Sequence, residues 1–184
     1  LIVGLLLLVC SSNHYSGKTK LMVGIVADQM RKDYLYLFQS HFGEHGFKRF
    51  YNEGFVAKNH HFDYQQTKTG PGHASIATGT PPAINGIIAN DWFDKQSGKH
   101  RYRVDDHNFL SLGTAKTKGK APTALLVSTF ADENSLAIQM NGKAVSVSLK
   151  DRSAILSIGH TANGAYWFLG GDEGNFISST FYMY

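Results

Sequence analysis

The sequence contains a single cysteine, Cys10, so no disulfide can form within the chain. Strong charge is also missing, because charged residues make up 17% of the chain and the net charge is only +4. Basic residues are mixed with acidic ones, and no basic stripe alternates with aromatic residues in the pattern typical of nucleic-acid binding. The sequence therefore excludes a scaffold held by internal disulfides and gives no indication of a nucleic acid partner.

No apolar run is long enough to cross a bilayer as a helix, although residues 1–12, LIVGLLLLVCSS, are strongly apolar. This run ends in small residues, as the apolar region and cleavage site of a secretory signal peptide do. We therefore expect export to the periplasm or the medium, with no stable membrane insertion once the signal is removed; a buried strand is the alternative. Neither a Met nor a basic segment precedes the run, so we expect the sequence to be truncated at its start. Cys10 could be a lipoprotein acylation site, although Val9 is bulkier than the residue that usually precedes such a cysteine.

Residues 13–184 alternate between strand-like and helix-like segments, and 42% of the chain is hydrophobic, which is enough for one globular domain. This alternation predicts an α/β fold with a doubly wound, mostly parallel sheet and flanking helices. Residues 90–104 are predicted as a hairpin in which KHRYRV alternates and leaves one face solvated. Apolar runs predict buried strands at residues 21–26, 55–62, 144–149 and 164–169, and helices are predicted at residues 34–39, 47–52, 71–78 and 122–140. KTKGK at residues 116–120 is predicted as a solvated loop.

Residues 67–90, TKTGPGHASIATGTPPAINGIIAN, place Thr69 at the start of a short helix. Pro71 suits the first helical turn, and Gly79 supplies a left-handed stop. Unpaired N–H groups and the positive end of the helix dipole face that place, where they stabilise an anion or a developing alkoxide. Thr69 is therefore a candidate nucleophile. A simple N-cap is the alternative role, which is common for Thr.

Charged residues follow two of the predicted strands. Asp28 lies just past residues 21–26, and Lys150 and Arg152 come directly after residues 144–149. In open α/β sheets the ligand crevice lies beyond the carboxyl ends of the strands. Asp28 is therefore a candidate metal ligand, with helix capping as its alternative role. Asp28 and Thr69 follow consecutive predicted strands, so they could meet at one edge of the sheet.

Three segments together resemble the alkaline phosphatase superfamily. They are VADQM around Asp28, TKTGPGHASIATG around Thr69 and VSLKDRSAILSIGHTANGAYWF around Arg152. The closest likeness is to bacterial alkaline phosphatases with a threonine nucleophile, which are related to the type I phosphodiesterases and nucleotide pyrophosphatases. Each segment alone is of modest specificity, but their order and spacing together are distinctive.

The resemblance implies roles for five residues. Asp28 resembles the first zinc ligand, and Thr69 resembles the nucleophile, which also binds zinc. Asn90 resembles a donor to a phosphate oxygen, and Lys150 and Arg152 resemble a clamp for a monoester phosphate. These roles imply a hydrolase of small phosphate monoesters with two zinc ions and a covalent phosphothreonine intermediate. Metal ions about 4 Å apart can hold the attacking and leaving oxygens of such a displacement.

His73 and His160 lie near these motifs, and we expect both to be hydrogen-bonded structural histidines and not zinc ligands. The remaining zinc ligands of the family are Asp and His residues well downstream of the Lys–Arg pair, and Tyr184 precedes their expected positions. We therefore expect residues 13–184 to be the N-terminal part of the catalytic domain, inactive by themselves.

Other functions remain open. A phosphodiesterase or nucleotide pyrophosphatase would share the metal site and the threonine, but would replace the Lys–Arg clamp with room for a second ester group. A non-catalytic secreted binding domain would keep the fold without the chemistry. A sulfatase is disfavoured, because TGPGH at Thr69 lacks the oxidisable Cys or Ser and the nearby Arg of that motif.

Overall fold

The computed structural model describes residues 19–171 and 174–183, so the predicted signal segment at residues 1–12 and Cys10 lie outside the described residues. The helices are α1 (Tyr34–Leu37), α2 (Phe47–Glu53), α3 (Thr69–Thr78), α4 (Pro82–Asn85), α5 (Phe130–Ala137) and α6 (Asp151–Ile158). The strands are β1 (Asp91–Asp94), β2 (Lys99–Tyr102), β3 (Asp105–Leu112), β4 (Lys118–Lys120), β5 (Val145–Ser148), β6 (Gly164–Leu169) and β7 (Asn175–Ser179). Two short 3₁₀ turns occupy Gln39–His41 and Thr180–Tyr182. None of the helices in this part of the chain reaches the length and hydropathy that a bilayer span requires.

The main sheet has five strands in the order β4-β3-β7-β6-β5, and β1 pairs with β2 in a separate hairpin. The α/β class with flanking helices is confirmed, but the prediction of a mostly parallel sheet is wrong. Only β5 and β6 run parallel, with Val145 opposite Gly164, while the other described pairs are antiparallel. The parallel pair has a helix in its connection, whereas only five residues separate β6 from β7, too few for the crossover that parallel strands require.

The predicted strands at residues 21–26 and 55–62 are wrong. Both segments are irregular, and their apolar side chains are exposed: Ile25 at 82% and Phe55 at 94%. Hydrophobic runs become strands only where a neighbouring strand accepts their backbone hydrogen bonds, and no described strand lies beside these runs. Residues 21–26 nevertheless lead into a tight turn at Asp28, with Gln29 in the left-handed region at φ 61°.

Other segments agree with the prediction in part. The hairpin, the strands β5 and β6 and the short helices α1 and α2 are confirmed. The helix predicted at residues 122–140 is shorter, because a capping box between Thr129 and Asp132 starts α5 at Phe130. The KTKGK segment is not a solvated loop, since its end forms β4 and the Lys120 side chain is only 12% exposed.

The core lies between α3, α6 and the parallel strands. Buried residues of α6, Ile155 and Leu156, are fully inaccessible, as are Ala74 of α3 and Ala165 of β6. α6 packs against β5 and β6, and α3 packs against α6 on the other side. The core therefore fixes the starts of α3 and α6 relative to each other, and each helix start carries residues that the sequence singled out.

Candidate active site

Thr69 is the first residue of α3, as the sequence predicted. Lys68 takes the N-cap position with extended backbone, and Gly79 ends the helix in the left-handed conformation at φ 66°. No side-chain capping bond is present at this helix start. The alternative role of Thr69 as an N-cap is therefore wrong, and its hydroxyl is available for another partner.

Asp28 is that partner, and Lys150 joins it. Thr69 Oγ1 donates to Asp28 Oδ2 over 3.2 Å, and Lys150 Nζ donates to the same oxygen over 2.9 Å. Asp28 and Lys150 are 122 positions apart in the chain, so only the fold brings them together. The Asp28 and Lys150 side chains are 31% and 39% exposed, which leaves the cluster open to a molecule from solution.

The charge on Asp28 is stabilised locally. Burial by itself would raise its pKa, but the hydrogen bond and positive charge of Lys150 and the Thr69 hydroxyl outweigh burial and hold the pKa below its usual value. Asp28 is therefore ionised at neutral pH. An ionised carboxylate beside a hydroxyl is an acceptor for the hydroxyl proton and a good ligand for a divalent cation.

Asn90 binds the backbone of the same helical turn. Its Oδ1 accepts from the Gly70 N–H over 2.9 Å. This bond fixes the orientation of the amide, so the Nδ2 group is the donor that remains, and it has no partner among the described residues. Asn90 thus presents an N–H₂ group next to Thr69, consistent with the implied role in phosphate binding.

Arg152 belongs to a network that sequence reasoning missed. Tyr102 donates its hydroxyl to Asp151 Oδ1 over 2.7 Å and accepts from Arg152 Nη1 over 2.9 Å. Asp151 also accepts from the Arg152 backbone N–H over 2.7 Å and lies 3.4 Å from Lys120 Nζ. Burial and the neighbouring Asp151 raise the pKa of Tyr102 to about 12, so its phenol stays protonated at neutral pH. The only sequence signal was the alternation in KHRYRV, which leaves one face of the hairpin solvated but does not single out Tyr102.

Two histidines near the motifs are hydrogen-bonded, as expected. His73 is buried, and its Nδ1 donates to the Thr69 carbonyl over 2.8 Å. His160 Nδ1 lies 3.3 Å from Asp132 Oδ2, and its Nε2 lies 3.2 Å from the Leu125 carbonyl. Both ring nitrogens of His160 face acceptors, so the protonated ring can donate on both sides, and the hydrogen bond to Asp132 raises its pKa.

A cleft of about 260 Å³ adjoins Thr69. Asp28, Thr69 and His73 line its polar side, and Val26, Phe62 and Ile76 are among the apolar residues of its wall. The cleft therefore joins the candidate nucleophile to an apolar surface that could contact the organic part of an ester.

The residues around Thr69 offer part of the ligand set of a zinc ion. Asp28 and Thr69 offer oxygen ligands of suitable chemistry, but no group of three or more His, Cys, Asp or Glu side chains converges in the described residues. Zinc sites use three or four protein ligands. The residues in this part of the chain would therefore hold one side of a zinc ion without completing its site.

Comparisons of the chain with a family model and with individual known proteins agree on one superfamily. Residues 22–179 match the family model for type I phosphodiesterase / nucleotide pyrophosphatase. Alkaline phosphatase PhoV of Synechococcus elongatus is 52% identical over 91% of the chain. Alkaline phosphatase PafA of Elizabethkingia meningoseptica and a calcium-transporting ATPase of Myroides odoratus are each 46% identical over 90% of the chain. The chain spans about 30% of the length of each of these relatives.

Solved structures agree with the sequence match. A crystal structure of wild-type alkaline phosphatase PafA superposes with a TM-score of 0.80 at 46% identity, covering 84% of this chain and 30% of that one. A quadruple variant of the same enzyme superposes with a TM-score of 0.81 at 44% identity, covering 85% of this chain and 31% of that one. The chain therefore belongs to the type I phosphodiesterase / nucleotide pyrophosphatase family, within the alkaline phosphatase superfamily.

Proposed function

We propose that the protein is a zinc-dependent phosphate monoester hydrolase that acts through a phosphothreonine at Thr69. The observation that carries the proposal is the convergence of Thr69 and Lys150 on one carboxylate oxygen of Asp28 at the start of α3, over 3.2 Å and 2.9 Å. The Nδ2 group of Asn90 and the guanidinium of Arg152, which is held by Tyr102, are the further donors that we propose for the phosphate.

In the proposed reaction Thr69 Oγ1 attacks the phosphorus atom, and the bond between phosphorus and the ester oxygen breaks. The hydroxyl proton passes toward Asp28 Oδ2, its hydrogen-bond acceptor, and the leaving alcohol takes a proton from solvent. Water then hydrolyses the phosphothreonine and releases inorganic phosphate with the free hydroxyl. Negative charge spreads over the phosphoryl oxygens in the transition state, which is where N–H donors such as Asn90 and Arg152 stabilise it.

We propose two zinc ions as cofactors, with Asp28 and Thr69 among their ligands. A bound zinc ion would lower the pKa of an attached hydroxyl and so favour the nucleophilic form of Thr69. The cluster described above supplies two oxygen ligands, and we propose that the remaining ligands lie outside it.

The relatives support a phosphate ester as substrate. The quadruple variant of PafA replaces a threonine, an asparagine, a lysine and an arginine. Its threonine and asparagine have the same separation as Thr69 and Asn90, and its lysine and arginine the same separation as Lys150 and Arg152. The relative named as an ATPase makes a nucleoside triphosphate a second substrate worth testing beside simple esters.

The choice between monoester and diester depends on Lys150 and Arg152. A bound monoester presents a charged oxygen that a diester lacks, and a charge-assisted hydrogen bond to it is worth about 1.5–3 kcal/mol. The Lys150→Ala/Arg152→Ala variant of the full-length protein should therefore lose about two to four powers of ten in kcat/KM for an aryl phosphate. Hydrolysis of the corresponding methyl aryl diester should fall much less.

The control removes two exposed cations instead, in Arg101→Ala/Lys143→Ala, and should leave both activities near those of the wild type. Equal losses on both esters, or a wild-type enzyme that prefers the diester, would favour the second candidate, a phosphodiesterase. The family description favours that candidate, since it names phosphodiesterases and pyrophosphatases. A protein that hydrolyses neither ester would be a binding domain that keeps the fold.

We also propose that the protein acts in the periplasm or outside the cell after removal of residues 1–12. The apolar composition of that segment and the small residues at its end support this location. Amino-terminal sequencing of the protein isolated from its host tests the cleavage, and a retained segment would contradict it.

A further inference from the structure

Arg103 is a buried charge without hydrogen-bond partners in the part of the chain that the structure describes. Its exposure is 0%, and its Nε, Nη1 and Nη2 atoms have no acceptor among residues 19–171 and 174–183. In a continuous strand, Arg103 would lie on the same face as the exposed Arg101, because the two residues are two positions apart. However, β2 ends at Tyr102, and the following turn carries Arg103 inward. Burying a charge without a partner costs several kcal/mol, so the position calls for a functional explanation.

The side chain of Arg103 packs against the start of α3. A Cβ built on Gly70 would lie 2.6 Å from Arg103 Cδ, 2.7 Å from its Nε and 3.1 Å from Asn90 Oδ1. On the other side, the guanidinium carbon lies 4.2 Å from the centroid of the Tyr102 ring. Arg103 therefore lies between the residue that follows the candidate nucleophile and the tyrosine that holds Arg152.

No carboxylate in the described residues forms a hydrogen bond with Arg103, although the charges of Asp151 and Asp91 lie near enough to favour its charged form. Asp151 is engaged by Tyr102, Arg152 and Lys120, and Asp28 is engaged by Lys150. Burial lowers the pKa of Arg103 to about 10, which still leaves the guanidinium charged at neutral pH. The helix dipole of α3 adds to this charge at the same place.

We propose that Arg103 is a positioning residue of the phosphate site, whose buried charge beneath the Gly70 backbone, without a hydrogen-bond acceptor among the described residues, favours a phosphate dianion bound at Thr69 and Asn90. The inference rests on the proposed function, because it assumes that a phosphate ester occupies this turn. Arg103 does not touch the substrate. It acts through the Gly70 amide and the low dielectric of the interior, where a charge acts more strongly than in water.

The proposal predicts opposite effects on stability and on binding. Without phosphate, an unpartnered buried charge destabilises the fold, so Arg103→Met should raise the melting temperature. The same substitution should weaken the binding of inorganic phosphate about tenfold, because the compensating charge is gone. If Arg103 served only packing, Arg103→Met would lower the melting temperature and leave the phosphate affinity unchanged.

The experiment uses the full-length protein and inorganic phosphate as the probe. Titration calorimetry gives the phosphate affinity, and thermal unfolding with and without phosphate gives the stabilisation that phosphate provides. Arg103→Met should show a higher melting temperature in phosphate-free buffer and a smaller increment on adding phosphate. Arg103→Lys, which keeps the charge, should bind phosphate within about threefold of the wild type. Arg101→Met removes an exposed arginine from the same hairpin and should change neither quantity.

An Arg103→Met variant that unfolds, or that binds phosphate as the wild type does, would overturn the proposal and make Arg103 a packing residue. Measurements on the wild type separate a failure of the proposed function from a failure of the role of Arg103. A wild-type protein that neither binds phosphate nor hydrolyses a phosphate monoester would overturn both proposals. A wild type that does both, with Arg103→Met unchanged in affinity, would overturn only the role of Arg103.

Discussion

Two threonines of α3 show how position decides what a hydroxyl can do. Thr78 lies in the last turn, and its hydroxyl donates to the Ala74 carbonyl over 2.7 Å, within the helix. Thr69 is the first residue, so no helical carbonyl precedes it, and its hydroxyl donates to Asp28 instead. The same side chain is therefore used structurally at one end and is available for chemistry at the other.

Substitution of Thr69 tests this distinction. Thr69→Ala in the full-length protein should reduce kcat for an aryl phosphate by at least about a thousandfold, because no hydroxyl remains to form the phosphoester. Thr69→Ser keeps the hydroxyl and should retain part of the activity. Thr78→Ala is the matched control and should remain active, with a small loss of stability. Full activity in Thr69→Ala would return that residue to a structural role.

At the scale of elements, Asp132 connects α5 to the turn between α6 and β6. Its Oδ1 accepts from the His160 and Thr161 backbone N–H groups, each over 2.7 Å, and its Oδ2 accepts from the Thr129 N–H over 2.8 Å. Gly159, at φ 78°, makes this approach possible, since a Cβ there would lie 2.1 Å from Asp132 Oδ2. Burial opposes the charge of Asp132, but hydrogen bonds from His160, Thr129 and Thr161 dominate and hold its pKa well below the usual value.

This network predicts how stability depends on pH. The pKa of Asp132 is lowered on folding, so its stabilisation is present above about pH 4 and is lost as the pH falls toward its folded pKa. The pKa of His160 is raised, so its stabilisation is complete below about pH 6.5 and is lost as the pH rises through its folded pKa. Urea unfolding of the wild type should therefore show stability falling above about pH 6.5.

His160→Gln should flatten that fall, whereas His45→Gln, at an exposed loop position, should leave it intact. Asp132→Asn removes a buried, multiply bonded charge and should lower the free energy of unfolding by about 3 kcal/mol near neutral pH. If the free energy of unfolding of His160→Gln depended on pH as that of the wild type does, protonation of His160 beside Asp132 would make no net contribution to stability.

Elements differed in how far the sequence could predict them. α3 was predictable because its signals are local: Pro71 in the first turn, small residues after it and Gly79 as a left-handed stop. The strands at residues 21–26 and 55–62 were not, because an apolar run requires a partner strand that the run itself does not encode. The sheet direction failed for the same reason, since strand order depends on contacts between distant segments.

At the scale of the whole molecule, some site residues were predictable from local sequence motifs, whereas others depend on contacts between distant segments. Asp28, Thr69, Asn90, Lys150 and Arg152 were selected from their motifs and the resemblance, and their roles stay predictions. The fold brings the first four together around the start of α3, whereas Arg152 contacts Tyr102 and Asp151. Arg103, Tyr102 and Asp151 were missed, because their importance comes from contacts across the fold. A buried arginine in a pattern that predicts exposure cannot be identified before the end of β2 is known.

The whole molecule also limits what this chain can do by itself. The described cluster supplies Asp28 and Thr69 as oxygen ligands, and large apolar side chains such as Leu21, Ile25 and Phe55 are at least 79% exposed. Residues 13–184 expressed alone should therefore bind zinc only weakly and show no turnover of an aryl phosphate. Zinc-dependent turnover by that purified piece, lost on chelation and restored by zinc, would contradict this expectation.

The central claim is that Thr69 becomes phosphorylated during turnover, and trapping the intermediate tests it most directly. The full-length protein is mixed with an aryl phosphate, quenched in acid within the first turnover, digested and analysed by mass spectrometry. The account predicts one added phosphoryl group on the peptide that contains Thr69, and none in Thr69→Ala. A phosphoryl group on another residue, or rapid turnover with no modified peptide in a quench that traps a control phosphoenzyme, would contradict it.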